Sequence, residues 1–274
     1  MSQPATEGPA DHPALSTPLG EGALAEGELE VVGRLVEASN ATSLTRLTTS
    51  GGERECVYKP VQGERPLWDF PRHTLGLREV AAYELSRVAG FDLVPVTALV
   101  DGPFGLGSLQ LWVDNDERDN ARLVDLVPAA SLPRAGWFAC VQGLDAAERP
   151  VAVIHADHPG LRRLALFDCL VNNADRKGGH ILSSGGRVFG VDHGICFHRE
   201  PKLRTLLWGW AGHELTDSER VLIGRARDNG PAALAELLNE AEIEALVRRA
   251  EVLLRRGTLP RARGEWPAIP WPPF

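Results

Sequence analysis

The stretch 167–198, FDCLVNNADRKGGHILSSGGRVFGVDHGICFH, carries the reading that decides the fold. An apolar helix over 161–171 runs straight into Asn172-Asn173-Ala174-Asp175. Residues 181–182 and 187–191 flank Ser183-Ser184-Gly185-Gly186. Small residues and glycines between two apolar runs are a strong hairpin signal. The hairpin leads to a second acid, in Asp192-His193-Gly194. One carboxylate on a loop and another at a hairpin exit suit metal-assisted phosphoryl transfer. The first can orient an acceptor hydroxyl, and the second can hold the cation that neutralises nucleotide phosphates.

Upstream, 1–28 is rich in Pro, Gly, Ala and Glu without a period and reads as a disordered lead-in. Strands are predicted over 29–35, 44–48 and 55–59, with small polar turns between them and Pro60 closing the third. A loop over 61–76 precedes a helix over 77–89, which stops at Gly90. Two more strands, 94–99 and 108–113, join through Asp101-Gly102-Pro103. These five strands and one helix make a small amino-terminal lobe, 29–113. After Asp114-Asn115-Asp116 the pattern turns helical through a second lobe, 114–258. Its last helices are predicted over 232–238, opened by Pro231, and over 243–256, ended by Gly257. Residues 199–216 read as a loop. The Pro/Trp-rich tail, 259–274, ends in WPAIPWPPF, which is not helical and either drapes on the surface or is disordered. The fold class is α+β with two lobes.

Composition narrows the partners. The 274 residues are 43% hydrophobic and 24% charged, ordinary for a globular chain. No apolar run approaches the ~18 residues that span a bilayer. The opening residues lack a basic and apolar leader, so a cytoplasmic location is expected. A net charge of −8 argues against a nucleic-acid partner, and no basic cluster marks a membrane-docking face. Four scattered cysteines read as free thiols. Arginines number 26 against three lysines, and Lys59 is the sole lysine before Lys177. A compact ammonium suits a tight phosphate site better than a planar guanidinium does. Chance in an arginine-biased chain is the other explanation.

A β-meander, a lysine on its third strand, a helix with Glu79, then a loop aspartate, a hairpin and a second aspartate follow in that order. The order resembles the protein-kinase-like fold, in particular its atypical branch of phosphatidylinositol 3- and 4-kinases, including the type II 4-kinases and the HipA-like kinases. It is most similar to actinobacterial proteins described as phosphatidylinositol-kinase-like, over about 29–256. The resemblance implies an ATP-dependent phosphotransferase using Mg²⁺ or Mn²⁺. It implies that Lys59 contacts nucleotide phosphates and pairs with Glu79. The turn bearing Ser39, Asn40, Thr42 and Ser43 would cover the phosphates, and Gln110–Val113, with Trp112, would be the hinge that bonds adenine. Asp175 would position the acceptor hydroxyl, with Arg176 and Lys177 beside it steadying acceptor or phosphate, or forming only a surface pair. Asp192 would bind the metal, and the 199–213 loop would contact the acceptor.

Two features depart from the pattern. The phosphate turn lacks glycine. His180 stands where the family has a metal-ligating asparagine, five residues after the aspartate. Magnesium prefers oxygen donors, whereas imidazole suits softer ions such as manganese. His180 therefore binds manganese, or donates only to phosphate, or marks a lost metal and lost activity. The last case is a catalytically impaired pseudokinase that binds nucleotide or a protein. Transfer of the nucleotide rather than the phosphoryl group is a third outcome. The acceptor is an unknown small-molecule or protein hydroxyl; a lipid is disfavoured by the acidic surface. A zinc site of His193, Cys196 and His198 fits no standard spacing. His155 and His158 read as solvated loop residues, Trp208 and Trp210 as core or groove, and Asp168 as a helix-face acid or a partner of the loop.

Overall fold

Residues 21–35, 41–115, 117–262 and 267–274 are described in the computed structural model. Alternating side chains build the first half. Strands β1 (Glu28–Arg34), β2 (Ser43–Thr49), β3 (Gly52–Pro60), β4 (Thr97–Gly102) and β5 (Gly105–Leu111) form one antiparallel sheet in the order β1-β2-β3-β5-β4. Successive residues of a strand point to opposite faces. In β3, Cys56 and Tyr58 therefore enter a core with Leu47 and Leu109, while Val57 and Lys59 face the other way, into a cleft. The lead-in is ordered in part: α1 (Glu21–Glu26) puts Leu24 into this core. Residues 1–20 lie outside the described residues.

Helix α2 (Leu75–Ala89) ends at Gly90 in the left-handed conformation, φ 80°. Its buried residues join the core of the second half, beside Phe91, Phe167 and Leu246. Arg78 has no exposed surface. It pairs with Glu242 and donates to the Cys196 carbonyl at 2.7 Å. The helix is thus anchored to both halves.

The second half is less helical than its sequence suggests. After the short α3 (Glu117–Asn120), strands β6 (Val124–Pro128), β7 (Trp137–Leu144) and β8 (Pro150–Ala156) make a second antiparallel sheet, ordered β6-β8-β7. Central β8 is buried on both faces over Ala152–His155, so its apolar run hides the period-2 signal. His155 is accordingly no solvated loop residue. It is buried on β8 against Phe138 and Trp210.

Helix α4 (Pro159–Val171) starts at His158, whose Nδ1 accepts the Gly160 N–H at 3.1 Å. The expected hairpin follows as β9 (Ile181–Ser184) and β10 (Arg187–Gly190). Gly185 and Gly186 supply the positive φ of its turn, 56° and 74°. Helix α5 (Asp217–Leu234) carries Pro231 inside it, so the proline does not open a helix. Thr216 and Glu219 form the capping box that sets its start, and Asn239 and Glu242 do the same for α6 (Glu240–Arg256). Among the described residues no helix is long and apolar enough to cross a membrane.

Breaking the buried Arg78–Glu242 pair from one side leaves an uncompensated charge. Glu242→Gln is expected to lower unfolding free energy by about 3–5 kcal/mol. Thr216→Ala, which removes one cap, is expected to cost about 1 kcal/mol. Urea denaturation of the two variants checks both the size and the ranking.

Candidate nucleotide cleft

A cavity of about 840 Å³ lies between the first sheet and the α4–hairpin segment, within the usual range for cofactor sites. Strand β3 delivers Lys59 to it, and α2 places Glu79 behind that lysine. The Lys59 ammonium lies 2.5 Å from Glu79 Oε1 and 2.8 Å from Asp192 Oδ1. Glu79 is buried, and its Oε2 accepts the His193 N–H at 2.8 Å. Burial works to lower the Lys59 pKa, but Asp192 and Glu79 outweigh it and raise the value. The same ammonium holds the Asp192 carboxyl far below the usual carboxylate range. Burial pushes Glu79 up, opposed by Lys59.

Asp192 sits at φ 59°, a left-handed backbone that aspartate tolerates better than most residues. Its side chain stays half exposed. Across from it, His180 Nε2 lies 3.3 Å from Asp192 Oδ2. The other ring nitrogen, Nδ1, lies 2.9 Å from the Asp175 carbonyl, which can only accept; Nδ1 therefore carries the proton. Burial lowers the His180 pKa, which favours the neutral ring, and in that form the Nε2 lone pair faces a carboxylate oxygen. Two acceptors opposed in this way fit a cation between them. Among the described residues no three His, Cys, Asp or Glu side chains gather into a metal cluster. A two-donor site suits an ion completed by phosphates and water.

Asp175 and Lys177 line the cavity, with Lys177 Nζ 3.2 Å from Asp175 Oδ2. Arg176 does not. It is fully buried, so it forms no surface pair and reaches no acceptor. Its Nε and Nη2 bond Asp168 at 3.1–3.2 Å, its Nη1 bonds the His180 and Val191 carbonyls, and its Nη2 lies 2.7 Å from His193 Nε2. Asp168 also accepts from Asn173 and Thr205, so it is the loop's buried anchor. The Asn173 Oδ1 accepts the Asp175 N–H at 2.9 Å, and Asn172, the left-handed C-cap, braces the His198–Lys202 chain.

At the opposite wall Thr42, Gln110 and Trp112 line the cavity. Ser43 does not; it is buried at the start of β2 opposite Tyr58. Ser39 and Asn40 lie outside the described residues. Within the expected hinge, 110–113, the first three residues already have backbone partners. Gln110 is paired to both β3 and β4, its side chain bonds Thr97, and the Trp112 N–H already bonds the Glu55 carbonyl at 3.0 Å. The first residue past this ladder is Val113.

One further wall has no signature in the side-chain pattern. The tail is draped, not loose: Ala268 accepts from the Thr205 N–H and the Trp208 indole, and the Gly178 N–H bonds the Pro273 carbonyl at 2.8 Å. Pro272 and Phe274 thereby reach the cavity. The 199–213 segment mostly faces elsewhere. Trp210 is buried, with its indole bonded to Asp157.

The fold and cleft define an α+β protein with a lysine, two acids and an imidazole converging between its halves. No family model matches the chain. It is 50% identical over 263 residues to Protein Rv2133c of Mycobacterium tuberculosis, covering 92% of this chain and 94% of that protein. The chain belongs to the family of that protein. Among solved structures it is similar to the Helicobacter pylori proinflammatory kinase CtkA, at 12% identity and a TM-score of 0.43, over 86% of this chain and 94% of that one. At that distance the reading of the site rests on the chain's own geometry.

A Cβ at Gly178 would meet the Phe274 ring at 2.5 Å. Gly178→Ala is therefore expected to lift the tail from the loop. The check is carboxypeptidase digestion, with residues 267–274 released several-fold faster than in the parent.

Proposed function

We propose that the chain is a kinase-like phosphotransferase that uses ATP and a divalent cation on a hydroxyl acceptor. The observation that carries this reading is the Lys59 ammonium held between Glu79 and Asp192, on the same cavity as Asp175. Lys59 binds the nucleotide phosphates, and Glu79, fixed by the His193 N–H, aims it. Trp112, Thr42 and the backbone at Val113 bound the space for the base. Asp192 and His180 would hold Mg²⁺ or Mn²⁺, which when bound neutralises the phosphate charge. Asp175 accepts the hydrogen bond of the acceptor hydroxyl. As that oxygen bonds the terminal phosphorus and the bridge to the nucleoside diphosphate breaks, the proton passes to the Asp175 carboxylate. Lys177 steadies Asp175 or the transferred group. Catalysis on this reading is positioning and charge stabilisation.

The acceptor is a small-molecule or protein hydroxyl. The net charge of −8 gives no support to a phosphoinositide surface. The rival is a pseudokinase that binds nucleotide without turnover, favoured by His180 in place of asparagine.

Thermal-shift titration with ATP and metal, paired with radiolabelled ATP turnover, separates the two. Asp192→Ala is expected to lose metal-dependent nucleotide binding. Asp175→Ala is expected to keep binding and lose turnover by about 10²–10⁴-fold. Undiminished ATP–metal binding by Asp192→Ala overturns the assignment, and binding without turnover in the parent favours the pseudokinase.

The His180 ligand role has its own test. His180→Asn replaces an imidazole nitrogen by an amide oxygen, so the ratio of Mg²⁺- to Mn²⁺-supported binding should rise. An unchanged ratio removes His180 from the metal.

A further inference from the structure

A second cavity, of about 300 Å³, is bounded by α6, the end of α4 and the 199–208 segment, and shares no lining residue with the nucleotide cleft. Five arginines line it: Arg199, Arg248, Arg249, Arg256 and Arg261. Among the described residues that line it, none is acidic. Arg248 has a partner, Glu244, on the exposed face at 3.1 Å. Among the described residues Arg249 has no carboxylate partner: its Nε donates to the Leu170 carbonyl at 2.8 Å and its Nη1 to the His198 carbonyl at 3.3 Å. Its Nη2 is buried without a hydrogen-bond partner. Burial lowers this guanidinium from its usual value to about 10. Neutral carbonyls do not cancel a buried charge, and an orphaned N–H on a charged group is costly. An oxyanion would satisfy both deficits, since the guanidinium fork matches phosphate and carboxylate in two-point geometry.

Apart from Asn172, whose amide is spent on backbone groups, the rest of the cavity is mainly apolar. Trp208, Val252 and Leu253 line it, and the Trp208 indole N–H is already spent on the Ala268 carbonyl at 2.9 Å, so the ring offers carbon surface. A cationic wall against an apolar floor, in a space at the small end of ligand sites, selects an anion with a compact hydrophobic body.

We propose that this cavity binds an amphipathic organic anion, a phosphate or carboxylate group on an apolar body, at a site separate from the nucleotide cleft. The head group meets Arg249 and the rim arginines, and the body packs on Trp208.

The probe is 8-anilinonaphthalene-1-sulfonate, whose fluorescence reports an anion in apolar surroundings. Titrated into the full chain, it should show one saturable site, displaced by phenyl phosphate and not by ATP with Mg²⁺. Arg256→Gln, on the exposed rim, should weaken the probe about tenfold. Arg249→Leu should weaken it further, and its thermal melt shows whether that chain is folded. Arg256-dependent recruitment to vesicles containing phosphatidic acid would place the anion on a lipid, whereas displacement by phenyl phosphate alone would place it in solution. Absence of saturable binding, displacement by ATP, or undiminished binding by Arg256→Gln together with a folded Arg249→Leu overturns the proposal.

Discussion

Arg176 and Asp168 form an ion pair with no exposed surface on either side chain, and the geometry of the cleft hangs on it. Asp168 belongs to α4. From there Arg176 reaches the carbonyl that precedes the hairpin, the carbonyl that follows it, and the His193 ring. One guanidinium thus fixes the two chain crossings that carry Asp175 and Asp192. Two charges buried without partners would cost several kcal/mol each, so removing either member would leave a penalty large enough to release the loop. Only arginine offers five donors in a rigid fork, and here it satisfies acceptors on three separate segments.

The second constraint is the charge balance of the cleft. A single ammonium faces two carboxylates, and both ion pairs keep it protonated and Asp192 ionised. The two acids are not equivalent. Glu79 is buried and committed to Lys59 and a backbone N–H. Asp192 remains half exposed and faces an imidazole lone pair. Glu79 is therefore fixed against the lysine, whereas Asp192 keeps oxygen surface open for a further partner. The helix that carries Glu79 is held by the buried Arg78–Glu242 pair, so this lysine–glutamate contact is a fixed part of the fold.

How much of this was legible follows from where each signal lives. The sheet of the first half could be read because its strands alternate and glycine or small polar residues separate them. The hairpin could be read from Gly185-Gly186. Lys59, Glu79, Asp175 and Asp192 could be singled out through the family that their order resembles, and the structure gathers them around one cleft. Arg176 was misplaced because neighbours in a loop sequence do not show which way they point. The β6–β8 sheet was hidden because a strand buried on both faces shows an apolar run. Two capping boxes, Thr216 with Glu219 and Asn239 with Glu242, were present as spacing signals, and the first would have corrected the start of α5. The tail was beyond reach: its position depends on two carbonyls, at Ala268 and Pro273, and no side-chain pattern encodes those.

That tail also relates the two cavities. Ala268 lines the arginine-rich pocket, while Pro272 and Phe274, four and six residues on, line the cleft of Lys59 and Asp192. Its carbonyls are bonded to groups of both sites, the Trp208 indole at one end and the Gly178 N–H at the other. Gly178 stands three residues from Asp175, in the loop that Arg176 anchors. A short, proline-rich segment held at two points has few ways to absorb a displacement, because each proline fixes its own φ. One short stretch of chain thus forms part of the wall of both cavities.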